Sequence, residues 1–567
     1  MEFVLKNLNP SPKKIFYEGK NIEYNGSKIR ICCNDYNDFF SDDCFVLVDE
    51  PEKADLTVKG LISFSMKELE NFLNKNDFEL SLEELSEDGY LLKIHEDKRE
   101  ISIGSSTKRG FFYASQTLKQ LIDSKNKILP IVEIIDFSSF NIRGIIEGFY
   151  GKPWSNENRK DIIRFCRKNK MNAYWYAPKD DPYHREKWRE PYPFEEKKKI
   201  YDLIEEAKKN YVDFVFCISP GLSMKFSDET EFSLLCNKYD EVLRRGVTNV
   251  AILFDDIPHK FDDIPHKLEY EEDVRKFNNN YGLAQTYIAN KLYDFLKKKD
   301  SKAKLYFCPT EYWQKEDSPY RRTLKENLHS EIVVIWTGNG VWSKRVSIKN
   351  ANEISSQFGH KLVLWDNYPV NDADEGKLFL GPLTNREVDL YKSIEGVIAN
   401  PMNQAYASMI ALQTISDYLW NSESYNPWTS WEKAIFNIAG ENFSRELELF
   451  SENFLKSRLF EGTSFKLKRL LKNYKEDSLN ASKELVSYLE ELSNLDEELS
   501  KIGFKGFYED IKPWVAKLSE LSRIVIKLIT SPESEKDLIK REGEIRIKEY
   551  ENISVCDDIL DIFIKEI

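Results

Sequence analysis

An α/β protein built on a central eight-stranded parallel (β/α)8 barrel, with a smaller domain on either side, is the architecture this sequence predicts. Three observations predict it. The chain has 567 residues, too many for one ordinary core. From Phe140 to about Asn400, apolar runs of strand length alternate with charged amphipathic stretches of helix length. There are eight such runs, and each ends in polar, aromatic or turn-forming residues, where a barrel of this kind carries its chemistry.

The predicted strands are 141–147, 172–177, 213–219, 249–254, 304–309, 332–337, 361–366 and 396–400. The segments 158–169, 195–210, 232–245 and 282–299 read as amphipathic helices between them. A doubly wound open sheet is the alternative, but no Gly-rich phosphate loop follows the first strand. Residues 1–137 form a different region with short strand-like pieces at 45–48, 55–58, 90–94 and 100–103 and a helix over 111–122, read as a small α/β domain. The barrel is assigned to 138–421. Residues 422–567 are read as a helical bundle, because leucines recur at helical spacing through 443–459, 465–499 and 511–528.

A formal charge of −14 argues against sequence-independent nucleic-acid binding, which needs a basic face. No apolar run reaches the length of a membrane span. The start, Met1-Glu2-Phe3-Val4-Leu5-Lys6, lacks the regions of a signal peptide, so the expected compartment is the cytoplasm, or the exterior if a signal has been removed. The cysteines Cys32, Cys33, Cys44, Cys166, Cys217, Cys236, Cys308 and Cys556 form no paired CxxC pattern and are read as reduced thiols. The six histidines show no HExxH-type spacing; neither metal nor cofactor is expected.

The run Asn249-Val250-Ala251-Ile252-Leu253-Phe254 stops at two adjacent carboxylates, Asp255 and Asp256. Neighbours on a strand point to opposite sides, so the two acids can occupy different surroundings and acquire different pKa values. One can stay ionised while the other holds a proton, which suits acid/base chemistry on an acetal. The alternative is a pair of solvated turn aspartates capping the next helix. The segment from Asp255 to Phe261 is repeated in tandem from Asp262 to Leu268. Only the first copy follows a strand, so the chemistry is assigned to it and a loop role to the second. The duplicated Asp and His residues supply donors for a dinuclear metal site, but their spacing matches no metal motif.

Several strand ends carry long, specific motifs: Arg143-Gly144-Ile145-Ile146-Glu147-Gly148-Phe149-Tyr150-Gly151, then Tyr176-Ala177-Pro178-Lys179-Asp180-Asp181-Pro182-Tyr183-His184, the Asp255-Asp256 pair, and Trp365-Asp366-Asn367-Tyr368-Pro369-Val370-Asn371-Asp372. In this order, from Arg143 to Asn400, they resemble glycoside hydrolase family 84, the β-N-acetylglucosaminidases that include the O-GlcNAcases and bacterial hyaluronidase-like toxins. The tandem repeat departs from that pattern. The resemblance implies a retaining, substrate-assisted mechanism in which the 2-acetamido oxygen of the substrate attacks the anomeric carbon and gives an oxazoline, an exception to the usual enzyme nucleophile. It implies that Asp255 polarises the acetamido N–H, that Asp256 is the general acid and then the base, holding its proton to higher pH, and that Tyr312 hydrogen-bonds near the reacting oxygen. It further implies that Thr337 and Trp365 line an N-acetyl pocket and that Gly148, Lys179, Asn367, Asp372 and Asn400 bind sugar hydroxyls.

Each position has an ordinary alternative: rim packing for Tyr312, core packing for Trp365, a surface ion pair with Asp180 or Asp181 for Lys179, and a turn before Pro401 for Asn400. The expected partner is a glycan or glycoprotein bearing terminal β-linked GlcNAc. The competing readings are a catalytically weak glycan-binding protein and an interaction module in the C-terminal helices, separable from catalysis by truncation near Ser422. The aglycone and the oligomeric state stay open.

Overall fold

The structure, a computed structural model, describes residues 8–40, 44–257, 268–313 and 316–566. Most of the tandem repeat, including His259 and His266, lies outside them.

The first region is a seven-stranded mixed sheet. Its strands are β1 (Lys14–Glu23), β2 (Ile29–Cys32), β3 (Phe45–Leu47), β4 (Leu56–Ile62), β5 (Tyr90–His95), β6 (Glu100–Ser105) and β7 (Ile128–Asp136), in the order β1-β7-β5-β6-β4-β2-β3. The helix Lys108–Leu121 covers it, with Phe111, Phe112, Leu118 and Leu121 in the same core as Leu92, Ile94, Ile101 and Ile103. The sequence pattern misses β1, β2 and β7. β1 is an edge strand with little buried surface, and β7 carries Pro130, which usually marks a strand as an edge.

Eight parallel strands then close a barrel: β8 (Ile142–Glu147), β9 (Ala173–Tyr176), β10 (Asp213–Ile218), β11 (Asn249–Leu253), β12 (Lys304–Cys308), β13 (Val333–Trp336), β14 (Leu362–Asp366) and β15 (Gly396–Ala399), with β15 pairing back onto β8. All eight fall on the predicted segments. The two-residue period of a strand sorts their side chains. Ala173, Trp175, Val215, Cys217, Ala251, Leu253, Tyr306, Cys308 and Ile398 pack in one cluster inside the barrel. Tyr174, Tyr176, Phe214, Phe216, Val250, Ile252 and Phe307 pack outward against the helices. The helices Asn156–Lys168, Glu229–Leu243, Tyr281–Lys299, Pro319–Asn327 and Ile348–Phe358 open on Ser155, Asp228, Asn280, Ser318 and Ser347. Each of these side chains accepts a backbone N–H of the first turn, which satisfies a donor the helix itself leaves open.

One crossover departs from the β/α pattern. Between β14 and β15 the only described helix is the short 3-10 turn Val388–Lys392. The chain there leans on the C-terminal helices. Trp514 Nε1 and Ser554 N donate to Gly376 O at 2.8 and 2.9 Å, and Leu380 N donates to Phe454 O at 3.1 Å. Trp431 Nε1 donates to Leu380 O at 2.6 Å.

The helix Ala405–Trp420 after β15 is buried along all 16 residues, because barrel, N-terminal sheet and C-terminal helices cover it together. Beyond it the chain is helical: Pro427–Ser451, Phe465–Glu476, Ser478–Ser493, Leu495–Leu499, Phe507–Thr530, Glu533–Glu549 and Ile559–Glu566. The predicted continuous stretch 465–499 is broken twice. Asp477 leaves helical geometry and caps the next helix through Asn480 N, and a further break falls at Asn494. No described helix is long and apolar enough to cross a membrane.

Candidate active site

The acid pair lies just past the end of β11. Phe254 N donates to Cys308 O at 2.9 Å and Thr310 Oγ1 donates to Phe254 O at 2.9 Å, which fixes this lip to the neighbouring strand β12. Phe254 packs outward, so Asp255 continues the inward series of Ala251 and Leu253. Simple alternation would then send Asp256 away from the mouth. Instead Asp256 adopts a left-handed backbone with φ of 49°, uncommon for a residue other than glycine. Both carboxylates therefore meet the same cation: Lys179 Nζ pairs with Asp255 Oδ2 and lies 3.9 Å from Asp256 Oδ2. The expectation that strand geometry alone separates the two acids is thus corrected. They share Lys179 and differ in burial, the side chains being 5% and 31% exposed.

Asp255 Oδ1 is buried with no hydrogen-bond partner among the described residues, which leaves one acceptor of this carboxylate without a donor. Asp256 is held by two phenols. Tyr312 OH donates to its Oδ1 at 2.7 Å and Tyr150 OH to its Oδ2 at 2.9 Å. Burial pushes the Asp256 carboxyl up, but Lys179, the two phenols and Arg185 outweigh it, and the group ends below its ordinary value. In the unliganded protein this reverses the expectation that Asp256 holds its proton to higher pH: the cation and donors around it favour the anion. Burial opposes the charge on Lys179, but Asp255 and Asp256 outweigh it and raise its pKa. Burial also pushes the Tyr150 phenol up to about 12, so it stays a donor at neutral pH.

Lys179 is buried and pairs with the catalytic candidates, not with its sequence neighbours. Asp180 accepts Gly151 N at 2.9 Å, and Asp181 accepts the hydroxyls of Tyr176 and Tyr192. The remaining predicted residues ring the same mouth. Asn400 Oδ1 accepts Gly148 N at 3.2 Å, and Asn400 Nδ2 donates to Asn367 Oδ1 at 2.9 Å. Asn367 Nδ2 in turn donates to Val341 O at 2.8 Å. This chain ties the ends of β8, β14 and β15 together, which a local turn before Pro401 would not do. Beneath it, Arg386 grips both Asp366 oxygens at 2.7 Å, while Asp366 O accepts Asn400 N at 2.8 Å.

Trp365 lies in the barrel's inner cluster with Nε1 buried and without a partner among the described residues. A Cβ added to Gly148 would come within 2.3 Å of its ring, so the indole and the β8 lip are in close contact. Lys179 Nζ stands 5.4 Å from the Trp365 ring centroid. Thr337 N donates to Tyr312 O at 2.9 Å, and its hydroxyl donates to Gly340 O at 3.1 Å. Asp372 accepts Tyr150 N at 2.9 Å, and burial raises its pKa.

The structure thus gathers Gly148, Lys179, Asp255, Asp256, Tyr312, Thr337, Trp365, Asn367, Asp372 and Asn400 at one end of the barrel. Sequence reasoning missed Tyr150 and Arg185. Both lie inside or next to the motifs at the ends of β8 and β9, but nothing in their spacing links them to Asp256. Among the described residues no group of three or more His, Cys, Asp and Glu side chains could hold a metal ion, and the repeat's histidines fall outside those residues.

The family model described as β-N-acetylglucosaminidase matches residues 143–452, more than half of the chain, and a glycosyl hydrolase family 20 domain 2 model matches residues 7–137. The chain belongs to glycoside hydrolase family 84. It is 38% identical over 281 residues to the protein O-GlcNAcases of Rattus norvegicus and Mus musculus. That match covers 48% of this chain and only 29% of those proteins' own length. Among solved structures, CpGH84B superposes over 99% of both chains with a TM-score of 0.83 and 31% identity. A Thermobaculum terrenum O-GlcNAc hydrolase mutant, also 31% identical, aligns with 76% of this chain and 94% of its own at a TM-score of 0.69.

Proposed function

We propose that the chain is a retaining exo-β-N-acetylglucosaminidase in which the substrate's own acetamido oxygen is the nucleophile. The observation that carries this reading is the unequal acid pair: a buried Asp255 with one oxygen lacking any hydrogen-bond donor among the described residues, beside a partly exposed Asp256 held by Tyr150 and Tyr312.

The donorless Asp255 oxygen accepts the acetamido N–H, which makes the carbonyl oxygen more nucleophilic and stabilises the positive charge that grows on the amide. Lys179 keeps Asp255 in place for this. The acetamido carbonyl oxygen bonds to C1 as the glycosidic C1–O bond breaks, and Asp256 delivers its proton to the departing oxygen. Asp256, now ionised, takes a proton from water as the water oxygen attacks C1 and opens the oxazoline, returning the acetamide. Tyr312, already within hydrogen-bond reach of Asp256, stands where it can steady the reacting amide oxygen. Trp365 and Thr337 bound the N-acetyl group. Gly148 N–H is committed to Asn400, so the Gly148 carbonyl and the remaining hydrogen-bonding capacity of Asn367, Asn400, Asp372 and Lys179 are what is offered to the sugar hydroxyls. The substrate is a terminal β-linked GlcNAc on a protein or glycan, in keeping with relatives named as protein O-GlcNAcases and an O-GlcNAc hydrolase.

The test is a series of aryl glycosides with N-acetyl, N-fluoroacetyl, N-difluoroacetyl and N-trifluoroacetyl groups. Turnover should fall steadily as fluorine withdraws electrons from the attacking oxygen. Equal rates across the series would rule out acetamido participation.

A further inference from the structure

We infer that Arg185 is a positioning residue for Asp256, acting through the Tyr150 hydroxyl and the Asp256 backbone carbonyl. The inference rests on the proposed role of Asp256 as proton donor.

Arg185 follows β9 on a segment the barrel fixes tightly. His184 is fully buried and its Nδ1 is 2.8 Å from Cys217 O, while Ser219 N donates to His184 O at 3.0 Å. Lys238 Nζ holds Tyr183 O. From this base the Arg185 guanidinium forks. Nη1 donates to Tyr150 OH at 2.8 Å, and Nη2 donates to Asp256 O at 2.8 Å. The guanidinium carbon is 5.5 Å from the Tyr150 ring centroid. Tyr150 OH reaches Asp256 Oδ2, so the contacts close a ring around the carboxylate.

Donor accounting gives the ring a direction. A guanidinium only donates, so at Tyr150 it occupies a lone pair of the phenol oxygen. The single phenol proton is then left for Asp256. The second arm of the fork holds the carbonyl of a residue whose φ of 49° is strained for an aspartate. Lysine, a point donor on a flexible stem, lacks the rigid planar fork that serves both acceptors at once. The other charged and titratable groups facing Asp256 are Lys179, Asp255, Tyr312, Asp372 and Cys308. Of the cations among them, Lys179 is shared with Asp255.

The experiment compares wild type, Arg185→Met, Arg185→Lys, Tyr150→Phe and the Arg185→Met/Tyr150→Phe double variant, each checked for folding by thermal melting. The Asp256 carboxyl is followed by 13C NMR titration in the unliganded protein, a readout that needs no turnover. Removing the cation should move this titration to higher pH in Arg185→Met, with Arg185→Lys close to wild type. On glycosides with poor leaving groups both Arg185 variants should lose about tenfold in kcat, with a smaller loss on activated aryl glycosides. In the double variant the losses should be less than additive, because both residues act through one ring. An unmoved titration in Arg185→Met, or additive losses blind to the leaving group, would overturn the inference. An inactive wild type with a shifted titration would strike the proposed reaction and leave the positioning role standing.

Discussion

Gly148 has no room for a side chain, since a Cβ there would meet the Trp365 ring at 2.3 Å. Gly148→Ala should therefore displace the indole or the β8 lip and lower kcat/KM by about 10²-fold, as misplacements of an ångström do. Steady-state kinetics beside a thermal melt will separate this from unfolding. Asp256 and Asp255 should fail differently. On the proposed mechanism Asp256→Asn removes the proton donor, so poor leaving groups should suffer a loss on the order of 10²–10⁴-fold and activated aryl groups much less. Asp255→Asn should damage both, because in the proposed mechanism acetamido attack accompanies departure in each case. Asp256 also makes a pH prediction. Lys179 and the phenols hold it below its ordinary value in the free protein. A bound sugar excludes water and draws on the same donors, which favours the protonated acid. The alkaline fall of kcat/KM, which reports the free protein, should lie at lower pH than that of kcat, which reports the complex. The acid pair itself was legible in the sequence, as an apolar run cut off by two carboxylates. The ring of Tyr150 and Arg185 was not. It joins the ends of β8, β9 and β11, and such contacts leave no period along one stretch of chain.

The helix Ala405–Trp420 makes its own prediction. Asp417 is buried, and burial raises its pKa to about 7 against hydrogen bonding from Ser430 and the charges of Lys433 and Lys170. In the unfolded chain the same carboxyl ionises near pH 4. Between those values the folded state binds more protons than the unfolded one, so stability falls as pH rises from about 4 to about 7 and then levels off. Asp417→Asn lacks this slope. Melts at pH 5 and pH 8 should show the variant gaining on wild type at the higher pH. At this scale the barrel strands were the most readable elements, because each is an apolar run closed by turn chemistry. The C-terminal helices were readable as helices but not as separate ones. Leucine spacing persists across Asp477 and Asn494, and only the capping at Asp477 ends a helix there.

The N-terminal sheet is joined to the barrel by buried charge. Lys170 Nζ and Asp136 Oδ2 are 2.8 Å apart with side-chain exposures of 1% and 0%. Trp420 Nε1 and Tyr90 OH also donate to Asp136, at 2.8 and 2.7 Å. Arg143, from the first barrel motif, pairs with Asp88 at 2.6 Å. Lys170→Met should strand the Asp136 charge and destabilise the protein by about 3–5 kcal/mol, read by chemical denaturation. Adding Asp136→Asn should recover part of that loss. This junction was invisible in the sequence, where its charges look like any surface residues of an acidic chain.

The crossover between β14 and β15, which has a 3-10 turn but no described α-helix, has a practical result. Its loop carries Asp372 and is shored up from the far side by Trp431, Phe454, Trp514 and Ser554. The helical tail is thus a buttress, standing in for the missing piece of the barrel wall. Shortening the polypeptide at Ser422 would not yield an independent catalytic cassette: the rim that carries Asp372 would lose its scaffolding, and a tail-less fragment should come out insoluble or inert.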